Sequence, residues 1–403
     1  MNTEEVIMNK NEFITYITSS VRLLDGAFGT ELQKNGMEPG ACPEQWCLAH
    51  PDIAKKIQAS YAAAGSDIIL APTFGANAIK LRDTPLASDV IGTNQKLVHM
   101  AREAAPSGVL VAGDVSPLGV LLDPMGTYSF EACVAIYKEQ IRGITKSGEA
   151  DLICLETFID VEEARAAAIA AQEVCDLPVT VSFAFDEKHR LLTGADAVTA
   201  LYIMADLGVC AFGINCGSGP AYALDTIKLV RPHANIPLIA KPNAGLPETD
   251  EQGRVFFHLS VTEFCSYAAA LVENGVCLIG GCCGTSPDYI RALKAEVSNL
   301  SVHVPDAKPH SCLCSSRQIV FIDEATTYSA PISIDARDID DILDDILDDE
   351  SDVIVLSSSA AELDVEEIIR TITQMVRKPL SFSFNSRELT QRAQRVYCGI
   401  SNQ

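Results

Sequence analysis

The chain has 403 residues and a formal net charge of −24, from 30 Lys and Arg against 54 Asp and Glu. That acidity, with no Lys/Arg-rich stretch, excludes a nucleic-acid partner held by phosphate neutralisation. No apolar run approaches the roughly 20 residues of a membrane span, and the opening stretch 1–20 lacks a basic start followed by a long apolar run, so a cytoplasmic protein with no membrane partner is expected.

Eight apolar runs follow one another, separated by stretches rich in Ala and Glu. They are VRLLDGA (21–27), DIILAPTF (67–74), VLVAGDVSP (109–117), DLICLETF (151–158), PVTVSFAF (178–185), VCAFGINC (209–216), PLIAKPNA (237–244) and CLIGGCCG (277–284). Most are near-continuously apolar rather than alternating, as parallel strands buried on both faces require. The intervening HPDIAKKIQASYAAAGSD places Pro51 near a helix start and Gly65 at its end. VEEARAAAIAAQEVCDLP carries acids in its first turn and stops before Pro178. Both follow the usual start and stop chemistry of helices.

Eight strand–helix units in succession predict an α/β fold, a (β/α)8 TIM barrel over residues 1–300. A doubly wound sheet binding a dinucleotide would show a Gly-rich loop after its first strand, and DGAFGT does not fit that pattern. Barrel chemistry gathers at the C-terminal strand ends. The polar residues expected there are Asp25 and Gly26, Thr73 and Asn77, Glu156, Cys216, Asn243, and Cys282 with Cys283.

Beyond residue 300 the character changes. SVHVPDAKPHSCLCSSRQ reads as a linker over 301–317, and a small partial α/β segment is expected over 318–403. Its strands are placed at 319–323, 352–359 and 379–386. Between the first two, DARDIDDILDDILDDESD (335–352) sets Ile339, Ile342, Leu343, Ile346 and Leu347 in one helical stripe, with mostly Asp elsewhere. No Gly-centred calcium loop is present in it.

Fourteen cysteines is a high count for a reducing compartment, where thiols stay free or bind metal. Cys154 and Cys277 sit inside apolar runs and read as packing. Cys216, Cys282 and Cys283 fall at the ends of strands 6 and 8, within reach of one ion. Three thiolates around zinc leave a fourth position open, as in catalytic sites. Nearby Gly217, Gly280, Gly281 and Gly284 give the backbone freedom to aim neighbouring sulfurs at one point. Three buried thiols, or a vicinal 282–283 disulfide, are the alternatives. A zinc site rich in thiolate is a poor activator of water but suits a substrate thiol, whose pKa near ~8.5 otherwise keeps it protonated. Alkyl transfer to sulfur is the chemistry that fits.

LLDGAFGTELQKNG, APTFGAN, DLICLETF, GINCG and GGCCGT, in this order and spacing, resemble the homocysteine S-methyltransferase family, which includes modules of cobalamin-dependent methionine synthase and betaine–homocysteine methyltransferase. The resemblance covers roughly residues 20–300. It implies Zn2+ held by Cys216, Cys282 and Cys283, with homocysteine as partner. The amino acid end would lie near Asp25, Gly26 and Ala27, and Glu156 would take the ammonium as a charge-assisted contact. Asn243 matches a position that sits at the metal while substrate is absent. Asn77 in FGAN is expected near the substrate, shaping the loop or contacting substrate directly. Many relatives carry Asn where this chain has Pro72, so that position is assigned no role.

The tail more faintly resembles the second and third units of the pterin-binding barrel that follows this module in methionine synthase. FIDEATTYS and LSSS stand where pterin contacts would be, so folate binding is not expected. No corrinoid-binding module is evident, and methylcobalamin or a separate methylated corrinoid protein is the expected methyl donor. The acidic helix at 335–352 is the surface expected to face such a partner. S-methylmethionine or betaine as donor, with Trp46 and Phe74 near the zinc, stays open, as does another thiol acceptor. A non-catalytic zinc- or homocysteine-binding partner of a corrinoid protein is the reading outside enzymology.

Overall fold

The computed structural model describes residues 8–249, 255–307, 310–360 and 362–402. Residues 1–7 of the opening stretch and 308–309 of the expected linker lie outside them. Eight parallel strands form one sheet: β1 (Arg22–Leu23), β2 (Ile68–Leu70), β3 (Leu110–Val115), β4 (Leu152–Phe158), β5 (Val179–Phe183), β6 (Ala211–Cys216), β7 (Leu238–Pro242) and β8 (Val276–Ile279). Their order is β1-β8-β7-β6-β5-β4-β3-β2. At the seam the Asp67 amide donates to Leu23 O, and the Asp67 carboxylate accepts from the Leu23 amide, both at 2.8 Å. The sheet is thereby rolled into the expected barrel, with helices outside.

Each expected barrel strand is found, though shorter. β1 keeps two residues and ends short of Asp25. The helix Pro51–Ala64 ends on Gly65, at φ +110°, and Val161–Val174 is capped by Asp160. Helix Lys10–Ser19 was not foreseen. Asn9 and Glu12 cap its start reciprocally. Its Phe13 and Ile17 are fully buried against the strand starts, among Ile68, Ala112, Leu152 and Ala211, and plug the bottom of the barrel. Burying each contributes roughly 1.5–3 kcal/mol.

Inward residues recur at every second position along the strands. Ala112 and Cys154 belong to the apolar interior layer, and two residues further on come Asp114 and Glu156. On β7 the same step leads from Ile239 to Lys241. The barrel interior is therefore apolar below and charged at its C-terminal end.

The stretch expected to be a linker carries β9 (Cys312–Ser315), which pairs antiparallel with β10 (Ile319–Phe321) and β14 (Gly399–Ile400). The strand placed at 319–323 is thus a hairpin partner. The parallel sheet is instead β11 (Ile332–Ser333), β12 (Ile354–Ser358) and β13 (Leu380–Phe384). Ser358 Oγ and both the amide and Oγ of Ser359 donate to the Asp335 carboxylate at 2.5–2.8 Å. Those serines are occupied within the chain.

The acidic helix runs Ile339–Asp348, with Ile342 and Ile346 buried. Leu347 leaves the stripe and is 59 % exposed, because it lies about 140° round the helix from Ile342. The segment packs on the barrel's flank: Arg395 forks onto Glu131 at 2.6 and 2.9 Å and reaches Glu173 at 2.7 Å. Cys314 and Cys398 join the barrel's hydrophobic core. No described helix is long and apolar enough to cross a membrane.

Candidate active site

Cys216, Cys282 and Cys283 converge, with all three Sγ atoms within 4.8 Å of one another and Cys216 Sγ 3.1 Å from Cys282 Sγ. The irregular backbone expected around the glycines achieves this. Cys282 and Cys283 lie beyond β8, in the turn that follows it, so strict strand alternation does not apply. Cys216 itself adopts the left-handed region at φ +58°, followed by Gly217 at +69°. Gly284 shares that region at +81°, whereas Gly281 is needed for close approach: a Cβ there would meet Thr285 Oγ1 at 2.3 Å.

Thr285 ties the sulfur turn to the first loop. Its Oγ1 donates to Cys282 O at 2.7 Å and accepts from the Ala27 amide at 3.1 Å. The Tyr61 hydroxyl adds a bond to Ala27 O at 3.0 Å.

The cysteines line a cavity of about 250 Å³ together with Asp25, Gly26, Ala27, Glu156 and Phe74. Three residues that sequence reasoning missed shape it. Lys241 Nζ donates to Glu156 Oε2 at 2.8 Å and lies 3.3 Å from Asp25 Oδ1. Asn215 Nδ2 lies 3.4 Å from Glu156 Oε1, and the same side chain brackets Thr157 through its amide and hydroxyl. Thr157 is thereby held at φ +65°, rare for a β-branched residue. Asp114 is the third, and it lines the same cavity. The signal for Lys241 and Asp114 was available, since a lone charge inside an apolar parallel strand must face a partner or a ligand.

Glu156 therefore already holds an internal ammonium. Asp25 accepts from the Leu70 amide through Oδ2 at 2.8 Å, bridging the barrel seam. Asn77 stands outside the cavity lining: it is buried, and its Oδ1 accepts from the Ile79 and Lys80 amides, shaping the loop. Asn243 donates Nδ2 to Gly217 O at 2.8 Å, and its Oδ1 is buried without a partner. Trp46 stacks on His50 at 4.3 Å, away from the cavity, because both sit one helical turn apart. Cys154 and Cys277 are buried in strands, and burial pushes their thiols up.

Electrostatics follow from that crowding. Burial raises Asp25 to about 6 against the opposing pull of Lys241, and burial raises Glu156 too. Burial alone would lower Lys241, but Glu156 and Asp25 outweigh it and hold its ammonium well above the usual value. Among the sulfurs, hydrogen bonds from Cys216 and then Cys282 bring Cys283 down to about 3.

Burial, then the charge of Glu156, holds Asp114 well above the ordinary carboxyl range. A raised acid keeps its proton longer when folded, so its stabilising contribution is full below the unfolded value near 3.8 and is lost as pH rises. Asp114→Asn should therefore unfold at higher urea than the parent at pH 8, with the two midpoints converging near pH 4. A gap that widens toward pH 4 would contradict this sign.

The donor set suits zinc. Zn–S bonds of about 2.3 Å place tetrahedral sulfurs roughly 3.8 Å apart, within the observed spread, and thiolates favour zinc over calcium or magnesium. The orphaned Asn243 Oδ1 beside Gly217 is a further donor lacking a partner.

A family model described as homocysteine S-methyltransferase matches residues 22–297. The methionine synthases of Mycobacterium tuberculosis and Mycobacterium leprae are each 30 % identical, over 308 and 307 residues. These alignments cover 72 % and 71 % of this chain but 26 % and 25 % of the relatives, so the chain spans about a quarter of their length. The metallated form of the Escherichia coli homocysteine methyltransferase MmuM superposes with TM-score 0.58 at 25 % identity, covering 68 % of this chain and 96 % of that one. Its apo form gives 0.55, also at 25 % identity, covering 69 % and 96 %. With sequence, fold and the sulfur constellation in agreement, the chain belongs to the homocysteine S-methyltransferase family, a family of methyltransferases.

Proposed function

We propose that the protein transfers a methyl group to the thiol of homocysteine, giving methionine, with zinc held by Cys216, Cys282 and Cys283 and the methyl group supplied by methylcobalamin or a methylated corrinoid protein. The observation that carries this reading is the convergence of three thiols in the same cavity as buried Asp25 and Glu156. Zinc bound there supplies the positive charge that stabilises the substrate sulfur as a thiolate at neutral pH.

The chain's own residues do the rest. Asp25, Glu156 and Lys241 form a fixed charge array for the amino acid end, with Gly26 and Ala27 beside it. Thr285 holds that loop in register with the sulfur turn, so thiol and amino acid end are placed together. Leu70, Ala71, Pro72 and Phe74 form an apolar wall that limits water around the sulfur. The substrate sulfur then attacks the methyl carbon in line with its leaving group, and positioning supplies much of the rate.

Onium donors are less well served. Phe74, the aromatic candidate that does line the cavity, already has Lys80 Nζ 4.8 Å above its ring, and Trp46 is spent on His50. This favours a donor whose carrier comes with its own binding surface.

The test is to purify the protein anaerobically, supply zinc and homocysteine, and screen methylcobalamin, S-methylmethionine, betaine and methyl-tetrahydrofolate. Methionine should form fastest with methylcobalamin. Faster turnover with betaine or S-methylmethionine would replace the donor assignment. Product from methyl-tetrahydrofolate alone would overturn it, since that amine is a poor leaving group without a corrinoid relay.

A further inference from the structure

The two ends of the cavity meet at a residue that does not line it. Thr285 is fully buried, in the turn that carries Cys282 and Cys283, while Gly26, Ala27 and both cysteines line the cavity. Its hydroxyl serves both ends at once. It donates to Cys282 O at 2.7 Å and accepts from the Ala27 amide at 3.1 Å. One oxygen therefore joins the carbonyl of a sulfur-bearing residue to the amide of a cavity residue on the first loop.

The neighbouring backbone leaves room for this contact. A Cβ on Gly26 would lie 2.8 Å from Thr285 Oγ1, and one on Gly281 would come closer still. Two segments thus omit a side chain at the same oxygen. Tyr61, fully buried on the helix Pro51–Ala64, closes the far side. Its hydroxyl bonds Ala27 O at 3.0 Å and lies 3.4 Å from Thr285 O. Ala27 is held at both its amide and its carbonyl. The Gly281 amide makes a second tie, to Asp25 O at 3.0 Å, which follows on from the β8–β1 pairing and uses no group of a sulfur-bearing residue.

We propose that Thr285 is a positioning residue that couples metal binding to the first loop: a metal drawn to the cysteines sets Gly26 and Ala27 for the amino acid end, and an amino acid on that loop tightens the metal. This rests on the reading of Cys216, Cys282 and Cys283 as a zinc site. Sulfurs held on one ion fix the Cys282 backbone, and its carbonyl then orients the Thr285 hydroxyl toward the Ala27 amide. Ordering one end lowers the cost of ordering the other, and such coupling acts equally in both directions.

Hydrogen exchange followed by mass spectrometry tests this on the full chain, stripped of zinc and then reloaded with zinc alone. In the parent, zinc should slow exchange in the turn 280–286 and also, roughly tenfold, in the loop 24–32, within the range of coupling between linked sites. Thr285→Val keeps the shape and removes the hydroxyl. It should still bind about one zinc per chain and still protect the turn, while exchange in the loop changes less than about twofold on loading. Thr285→Ser, which restores the hydroxyl, should restore the loop's response. If Thr285→Val does not fold, Tyr61→Phe carries the test: with Ala27 released at its carbonyl, the loop's response should fall at least about threefold. A parent that binds zinc with its loop unchanged overturns the inference alone. A loop response that persists in Thr285→Val, or in Tyr61→Phe where that variant carries the test, also overturns it and assigns the coupling to the Gly281 backbone tie. A parent that binds no zinc overturns the zinc reading and the inference with it.

Discussion

Cys283→Ala is expected to release the zinc and abolish methionine formation together. Metal analysis should fall from about one zinc per chain to below about one tenth, because the site loses one of three sulfur donors and structural zinc affinities of ~10–16 kcal/mol depend on the full set. The three Sγ atoms lie within 4.8 Å of one another, so no described cysteine outside the trio stands ready to substitute. A matched control is Cys277→Ala, six residues upstream in β8. That thiol is fully buried, and the change should cost about 1 kcal/mol of stability while zinc and activity persist. Zinc retained at full occupancy in Cys283→Ala would defeat the proposed ligand set, and zinc lost in Cys277→Ala would show that metal loss reports only on folding.

Lys241→Met is expected to have the largest effect on the fold. Lys241 is 5 % exposed and lies against Glu156 at 2.8 Å and Asp25 at 3.3 Å. Removing it leaves two buried carboxylates without a counterion, a change that typically costs about 3–5 kcal/mol. The loss should be greatest at pH 8. With Lys241 gone, Asp25 and Glu156 bind protons still more readily in the folded state, so stability should recover as pH falls toward 5. Methyl transfer should fall by roughly 100-fold or more, since the array that orients the amino acid end collapses. Urea unfolding at pH 8 and pH 5 checks this: an unchanged midpoint at pH 8 would mean that the three-residue array contributes nothing to stability.

The two experiments probe different halves of one cavity, and the structure explains why they are coupled. Cys216 pairs in register with Pro242, which places Asn215 beside Lys241. A single strand pair therefore carries a sulfur donor and the ammonium that steadies Glu156. Thr285 makes a second link, from the turn of Cys282 to Ala27.

Local information sufficed for the barrel and for the three cysteines that converge in it. Apolar runs, Pro51 and Gly65 are read within a few residues of themselves, and each marks an element that the fold contains. GGCCGT and GINCG are equally local, and their spacing carried the family resemblance that the comparisons bear out. Asp25 and Glu156 were found because they end strands.

Lys241, Asp114, Asn215 and Thr285 needed the tertiary structure. A strand buried on both faces shows no alternation, so its sequence does not say which residues point into the barrel. Register between strands then decides which inward residues share a layer, as when Asn215 meets Lys241 and when Asp114 stands opposite Cys154. The tail was misread for the same reason. β9 and β10 are local strands, but their antiparallel pairing, and the assignment of β11 to the parallel sheet, depend on contacts with residues far along the chain. The sequence by itself determined the succession of elements and the three sulfurs. Only the closed barrel decided that Glu156 answers to Lys241, and that Asp114 shares their cavity.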